Sequence, residues 1–266
     1  MSGIFDGLES LGFKELQEVD LLDKNNHKDT NDQAEEESPM SYLTPKVFTC
    51  PVCGLDFTDY LVKKSKLQVV ETDTDLRTTY HVIDPNYYDV ILCIHCGYAA
   101  LQSQFDHITE KQANAVMEKV MPSFKSKNYP VPLSAQHAVE RYKIALLCAV
   151  TKEAKSGEKA FLCLKTAWLY RDMGDEENEL LFLSNAYKLF INAIDTGALP
   201  VGPFDEITVH VLVAELARRI GNYEEAARWI GAVTRHRKVG AATKKRAETI
   251  MELIKEASSE TSETKA

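Results

Sequence analysis

The chain lacks any long apolar run. Its longest covers residues 144–150, seven in all, where a bilayer-spanning helix takes about 20. Its start lacks the basic, apolar and small-residue order of a secretory signal, so export by that route is not expected. Glycine (12) and proline (9) are scarce among 266 residues, which excludes collagen-like and glycine-repeat architectures. There is no Walker loop, dinucleotide fingerprint, nucleophile elbow or HExxH helix, so none of the corresponding phosphate cradles or hydrolase centres is expected. Basic charge is short as well: 31 lysines and arginines against 40 acids leave −9.

The composition that remains, 44% hydrophobic and 27% charged, is ordinary for a soluble globular protein, and the length allows about two domains. The negative charge is concentrated at one end. Residues 1–45 carry eleven acids and three lysines, −8, which leaves 29 acids against 28 bases, −1, on the other 221. A nearly neutral body does not supply the field that draws nucleic acid. Six cysteines without an export signal point to the reducing cytoplasm, where disulfides do not persist. Paired thiols there read as metal ligands or redox groups.

Along the chain, residues 24–40 are too polar to offset the entropy of ordering them. Residues 1–45 are therefore read as an acidic, largely disordered arm, although Ile4, Phe5, Leu8 and Leu11 have loosely helical spacing. β-Branched and aromatic runs at 46–49, 67–71 and 87–93 predict a small β-rich module over 46–105. Thr109 caps a predicted helix reaching about Phe124, and Pro122, Pro130 and Pro132 make 106–132 a connecting helix and proline-rich linker. From 133 to 257 apolar residues recur at helical spacing, with Gly157, Gly174, Gly197, Gly221 and Gly240 falling between the runs as helix-ending glycines do. Residues 258–266 read as a disordered polar tail. The fold class expected is α+β, mainly α: a β-rich, zinc-ribbon-like module followed by a short antiparallel helical array.

The strongest chemical signal is a pair of knuckles, Cys50-Pro-Val-Cys53-Gly54 and Cys93-Ile-His-Cys96-Gly97. A Cys-x-x-Cys turn lets two thiolates face one ion, and the glycine after it can take the positive φ that folds the backbone back. Two turns supply four thiolates, a closed tetrahedral shell. One structural zinc is the expected occupant, with rubredoxin-like iron or metal-free thiol chemistry as alternatives. A closed zinc does not activate water. His95 lies inside the second knuckle and could replace a cysteine, but with four thiolates present it is expected to point outward. Cys148 and Cys163 fall on apolar helix faces and read as small buried hydrophobes.

Other candidates have ordinary readings. Asp73, Asp75 and Arg77, with His81 and Asp84, could form an acid–base or second metal site, but read first as turn formers and solvated strand positions. Tyr80, Tyr87 and Tyr88 read as core aromatics of the small module. Arg235, Arg237, Lys238, Lys244, Lys245 and Arg246 form a run without an acid, complementing a helix C-terminus or docking an acidic partner.

The helical region repeats at an offset of 47 residues. Ala167, Arg171 and Gly174 match Ala214, Arg218 and Gly221, and the second glycine leads into Asn222-Tyr223-Glu224-Glu225-Ala226-Ala227. This resembles a degenerate tetratricopeptide repeat. Ala167 and Ala214 then become packing positions. Arg171 and Arg218, beside Tyr170 and Arg219, become candidates to capture a partner's carboxylate. Replacing both arginines with Ala is expected to weaken partner binding at little cost in stability. The competing expectation is ordinary surface pairing with Glu176, Glu177 or Glu224.

Taken in order, these features resemble a bacterial family of uncharacterised proteins, a domain of unknown function found widely in Firmicutes and especially clostridia. The matching pieces are the CPVCG knuckle with Phe57, Lys66-Leu67, and Asp73-Thr-Asp-Leu-Arg77 with Tyr80. They continue through Tyr88-Asp89-Val90 to Cys93-x-x-Cys96-Gly-Tyr-Ala-Ala100, then Ala138 to Ala145 and Cys163 to Leu169. The resemblance implies a zinc-ribbon-like head on a tetratricopeptide-like body and leaves activity undefined. Three functions remain open. The first is a non-catalytic cytoplasmic adaptor that binds a protein partner through its helices. The second is a nucleic-acid-associated factor using the ribbon and the basic 235–246 stretch, and the third an electron carrier. No membrane partner and no small-molecule substrate are identified from the sequence.

Overall fold

The computed structural model describes residues 38–234 and 239–263, and side chains as far as residue 257. Among the described residues the first half folds into three antiparallel two-stranded sheets: β1 (Leu43–Thr49) with β2 (Asp56–Val62), β3 (Val69–Thr72) with β4 (Thr78–Tyr80), and β5 (Val90–Leu92) with β6 (Ala99–Leu101). The strand runs evident in the sequence are one arm of each hairpin. The partner arms were less legible because β2 carries Asp56 and Asp59 among its apolar residues and β6 is only Ala-Ala-Leu. Pairing runs from Leu43 against Val62 to Thr49 against Asp56. The head also takes in residues before 46, with a 3-10 turn at Pro39–Tyr42 and Tyr42 and Leu43 buried beside Ile83, Tyr88 and Leu133.

Among the described residues seven α-helices follow: α1 (Glu110–Lys119), α2 (Ala135–Thr151), α3 (Ser156–Asp172), α4 (Glu176–Asp195), α5 (Glu206–Arg219), α6 (Tyr223–Thr234) and α7 (Ala241–Glu263). Their starts are written locally. Thr109 and Gln112 form a reciprocal capping box on α1. Ser134, Asp175 and Asp205 each accept from the backbone N–H three residues on, in α2, α4 and α5, caps worth about 1 kcal/mol each. α7 runs on to Glu263, past the 257 at which its apolar pattern ends.

The 47-residue repeat appears as two helical hairpins, α3–α4 and α5–α6. Gly174 and Gly221 close them at φ 69° and 82°. In each, the next N–H reaches back across the turn, Asp175 to the Tyr170 carbonyl at 3.0 Å and Asn222 to that of Ala217 at 2.8 Å. Only a residue free of the left-handed penalty ends a helix this way cheaply. Ala167 and Ala214 are fully buried where neighbouring helices approach. Gly157 departs from expectation. It lies in the first turn of α3, not at a helix end, and a Cβ there would meet Val201 at 2.7 Å.

Two cores matter for the site. Phe48, Phe57, Tyr98 and Phe105 pack around the cysteine knuckles together with Ala113 and Val116 of α1, so the predicted connecting helix is part of the head's core. Val90, Leu92, Ala99 and Leu101 of the β5–β6 hairpin join the core of α2 to α5. Arg141 of α2 tightens this junction, donating to the Asp59 carboxylate of β2 and, at 2.6 Å, to the Val90 carbonyl.

Candidate metal centre

Each knuckle closes one hairpin, β1–β2 or β5–β6. In the first, the Cys50 N–H donates to Leu55 at 3.0 Å and the Gly54 N–H to Cys50 at 2.9 Å. In the second, Cys93 donates to Tyr98 at 2.9 Å and Gly97 to Cys93 at 3.0 Å. Gly54 and Gly97 take φ 73° and 77°. Because the same backbone turn is used twice, the four sulfurs converge from two sides.

The Sγ atoms of Cys50, Cys53, Cys93 and Cys96 all lie within 4.8 Å of one another. Cys50 and Cys96 are 3.6 Å apart, Cys53 and Cys93 3.7 Å. A tetrahedron of thiolates at about 2.3 Å from a central ion has edges of about 3.8 Å, so this donor set fits a metal ion. Cys53 is half-buried and the other three are buried. Crowding divides the thiols: hydrogen bonds with Cys50 and Cys96 pull the Cys93 thiol down; Cys93 pushes Cys50 up to about 12 against a lowering contact with Cys96, and Cys50 and Cys93 push Cys96 up. A cation at the centre relieves that conflict by replacing protons with one shared charge. The His95 ring lies outside the shell, its Nε2 3.0 Å from the Asp56 carbonyl.

The centre is tied directly to the helices. The Cys148 thiol of α2, fully buried and raised to about 11 by that burial, donates to the Gly97 carbonyl at 3.4 Å. Cys163 is likewise buried and raised to about 12 by desolvation. A Cβ on Gly97 would meet the Phe124 ring at 2.5 Å, whereas one on Gly174 meets nothing within 4 Å, though both have positive φ. Gly174→Ala should therefore cost about 1–2 kcal/mol from backbone conformation alone. Gly97→Ala adds a clash and should cost clearly more, with weaker metal retention, as paired thermal melts and metal titrations would register.

The residues between the knuckles have a different role from the one expected. The β3–β4 turn places Asp73, Thr74 and Asp75 against α3 and α5, with Leu76 at φ 71°. Asp75 has no exposed surface and Arg77 5%, so neither is a solvated strand position. Asp75 accepts from Trp168 Nε1 at 3.0 Å and from Arg171 at 2.7 Å. Asp73 accepts from Arg171 at 3.0 Å and Arg219 at 2.7 Å. Thr74 donates to Glu215 at 2.7 Å, and Glu215 also holds Arg218 and Arg219. Arg77 bridges Asp84 at 2.5 Å and Asp172 at 2.6 Å. Burial works to raise the Asp73 carboxyl, but Arg219, Arg171 and the Thr74 N–H prevail and hold it below its ordinary value.

The repeat-borne arginines therefore do meet carboxylates, but those of their own chain. Arg171 also reaches Glu179 at 2.7 Å, and among the described residues neither arginine pairs with Glu176, Glu177 or Glu224. Tyr88 is buried, its hydroxyl accepting from the Leu133 N–H at 2.8 Å. Tyr80 and Tyr87 are half-buried, and His81 is exposed. Arg235, Arg237 and Lys238 lie outside the described residues, as does the arm through residue 37. Sequence reading missed Glu215 and Asp59. A usable signal existed for Glu215, a single acid in the otherwise apolar stretch 211–217, because an acid among apolar neighbours needs a buried partner.

Fold and site together define a mainly helical α+β protein whose β-rich head carries a four-cysteine group able to hold a metal ion. Among known proteins, the family of uncharacterised proteins conserved in bacteria, DUF2225, matches residues 43–261, and the chain belongs to it. An uncharacterised protein of Borreliella burgdorferi is 25% identical over 156 residues, covering 52% of this chain and 56% of that protein. The chain thus spans just over half the length of this relative. No solved structure matches.

Proposed function

We propose that the protein is a non-catalytic cytoplasmic adaptor, with one structural zinc in its head and a helical body that binds a protein partner. The observation that carries the reading is the closed set of four convergent sulfurs, which satisfies a tetrahedral ion and leaves no position for substrate. The charged residues nearest the head–helix junction support it, because they neutralise one another: Asp73, Asp75, Arg171, Glu215 and Arg219 are joined in one set of ion pairs, and Arg77 pairs separately with Asp84 and Asp172. Among the described residues no helix is long and apolar enough to cross a membrane.

With Arg171 and Arg218 engaged internally, the partner surface in this reading moves to the outer faces of the helices, where Leu180 and Leu181 of α4 stand exposed. Quantitative pull-down from the native bacterium should recover a specific partner with the wild type. Leu180→Ser with Leu181→Ser should recover at least about fivefold less at an unchanged melting temperature, since exposed positions contribute little stability. Equal recovery from both would remove this surface from the proposal.

A further inference from the structure

A cleft of about 810 Å³ opens between the head and the helices, within the roughly 300–1,000 Å³ typical of small-molecule sites. One wall is aromatic: Phe161 of α3 and Phe204 of the α4–α5 connection lie with ring centroids 5.2 Å apart. Trp168 also lines it, but Arg77 and Lys165 stand over its ring, 5.9 and 5.7 Å from its centroid. Phe161 and Phe204 share the apolar part of the lining with Val62, Leu101 and Val201. The floor is polar and rigid, with Asn86 held by the Tyr142 hydroxyl at 2.9 Å and by Lys165 at 3.3 Å.

Charge decides what would enter. Most ionised groups of the lining are already paired: Arg77 with both Asp84 and Asp172, a set that keeps one negative charge, Lys165 with Asp89 at 2.9 Å, and Glu158 with Lys152 at 2.8 Å. Lys64 and Lys155 complete the lining, are exposed, and make no ion pair among the described residues. The uncompensated charge at the mouth is positive, above an aromatic wall. We propose that this cleft is a binding site for a small organic anion. Its flat apolar part lies against Phe161 and Phe204, and its carboxylate, sulfonate or phosphate group meets Lys64 and Lys155. The site is separate from the adaptor surface on α4, so either reading stands without the other.

The test uses the full-length, metal-loaded protein and the fluorescent anion anilinonaphthalene sulfonate. Saturable binding of one dye per chain is expected. Lys64→Glu with Lys155→Glu should weaken it about tenfold, a loss of about 1.4 kcal/mol, at an unchanged melting temperature because both side chains are exposed. The neutral analogue N-phenylnaphthylamine should bind at least about tenfold more weakly than the sulfonate, and Phe204→Ala should weaken both. Absence of saturable binding, equal dye affinity for wild type and the charge-reversed variant, or equal affinity for the neutral analogue would overturn the proposal.

Discussion

Removing the metal, or replacing Cys93 with Ser, is expected to lower the melting temperature by at least about 10 °C and to take helical signal with it. Purified protein should carry about one zinc per chain and little iron, and Cys93→Ser should carry none. Metal binding in a head built on four cysteines is itself folding free energy. A loss of even about 5 kcal/mol corresponds to about 10–20 °C in a chain of this size. Seen as a separate module, the head would melt alone and leave the helices intact. The structure makes a different prediction: Val90, Leu92, Ala99 and Leu101 belong to the same core as Tyr142, Ala145 and Ala149 of α2, and Cys148 is bonded to the knuckle itself. Far-ultraviolet circular dichroism during chelation would decide. Helicity unchanged while metal leaves would show that the two parts are energetically independent.

The second large effect is expected at Asp75. Asp75→Ala removes a fully buried carboxylate from Arg171, Arg219 and Trp168. Breaking a buried pair by deleting one partner costs about 3–5 kcal/mol, because the remaining charge stays desolvated. Arg171→Ala should cost less, since Arg171 is 22% exposed, yet far more than an ordinary surface arginine. The low stability cost expected from its sequence position is thus reversed. The double variant should fall short of the sum by about 0.5–3 kcal/mol, the signature of groups in one network. Urea denaturation of the four proteins measures this directly, and strict additivity would count against the network.

Acid should weaken the same contacts. Asp73 has a folded pKa below its unfolded one, so its contribution is present above about pH 4 and is lost as pH falls through the folded value.

The sequence by itself determined the local pieces. The knuckles were legible because a Cys-x-x-Cys-Gly turn needs only five consecutive residues, and its donor chemistry follows from residue type. The helices were legible because apolar spacing and caps such as Thr109 and Asp205 act within one or two turns. The repeat was legible because Gly174 and Gly221 mark a backbone conformation that glycine adopts most readily. What only the tertiary structure decided was who meets whom. Arg171 and Arg219 read as surface or groove cations until the β3–β4 turn, nearly a hundred and nearly a hundred and fifty residues earlier in the chain, sets Asp73 and Asp75 against them. The spacing of charges along a chain specifies no such encounter. It follows from the β5–β6 hairpin packing into the core of α2 to α5 and from the β3–β4 turn being laid against α3 and α5, after which a carboxylate carried inside must find its cation there.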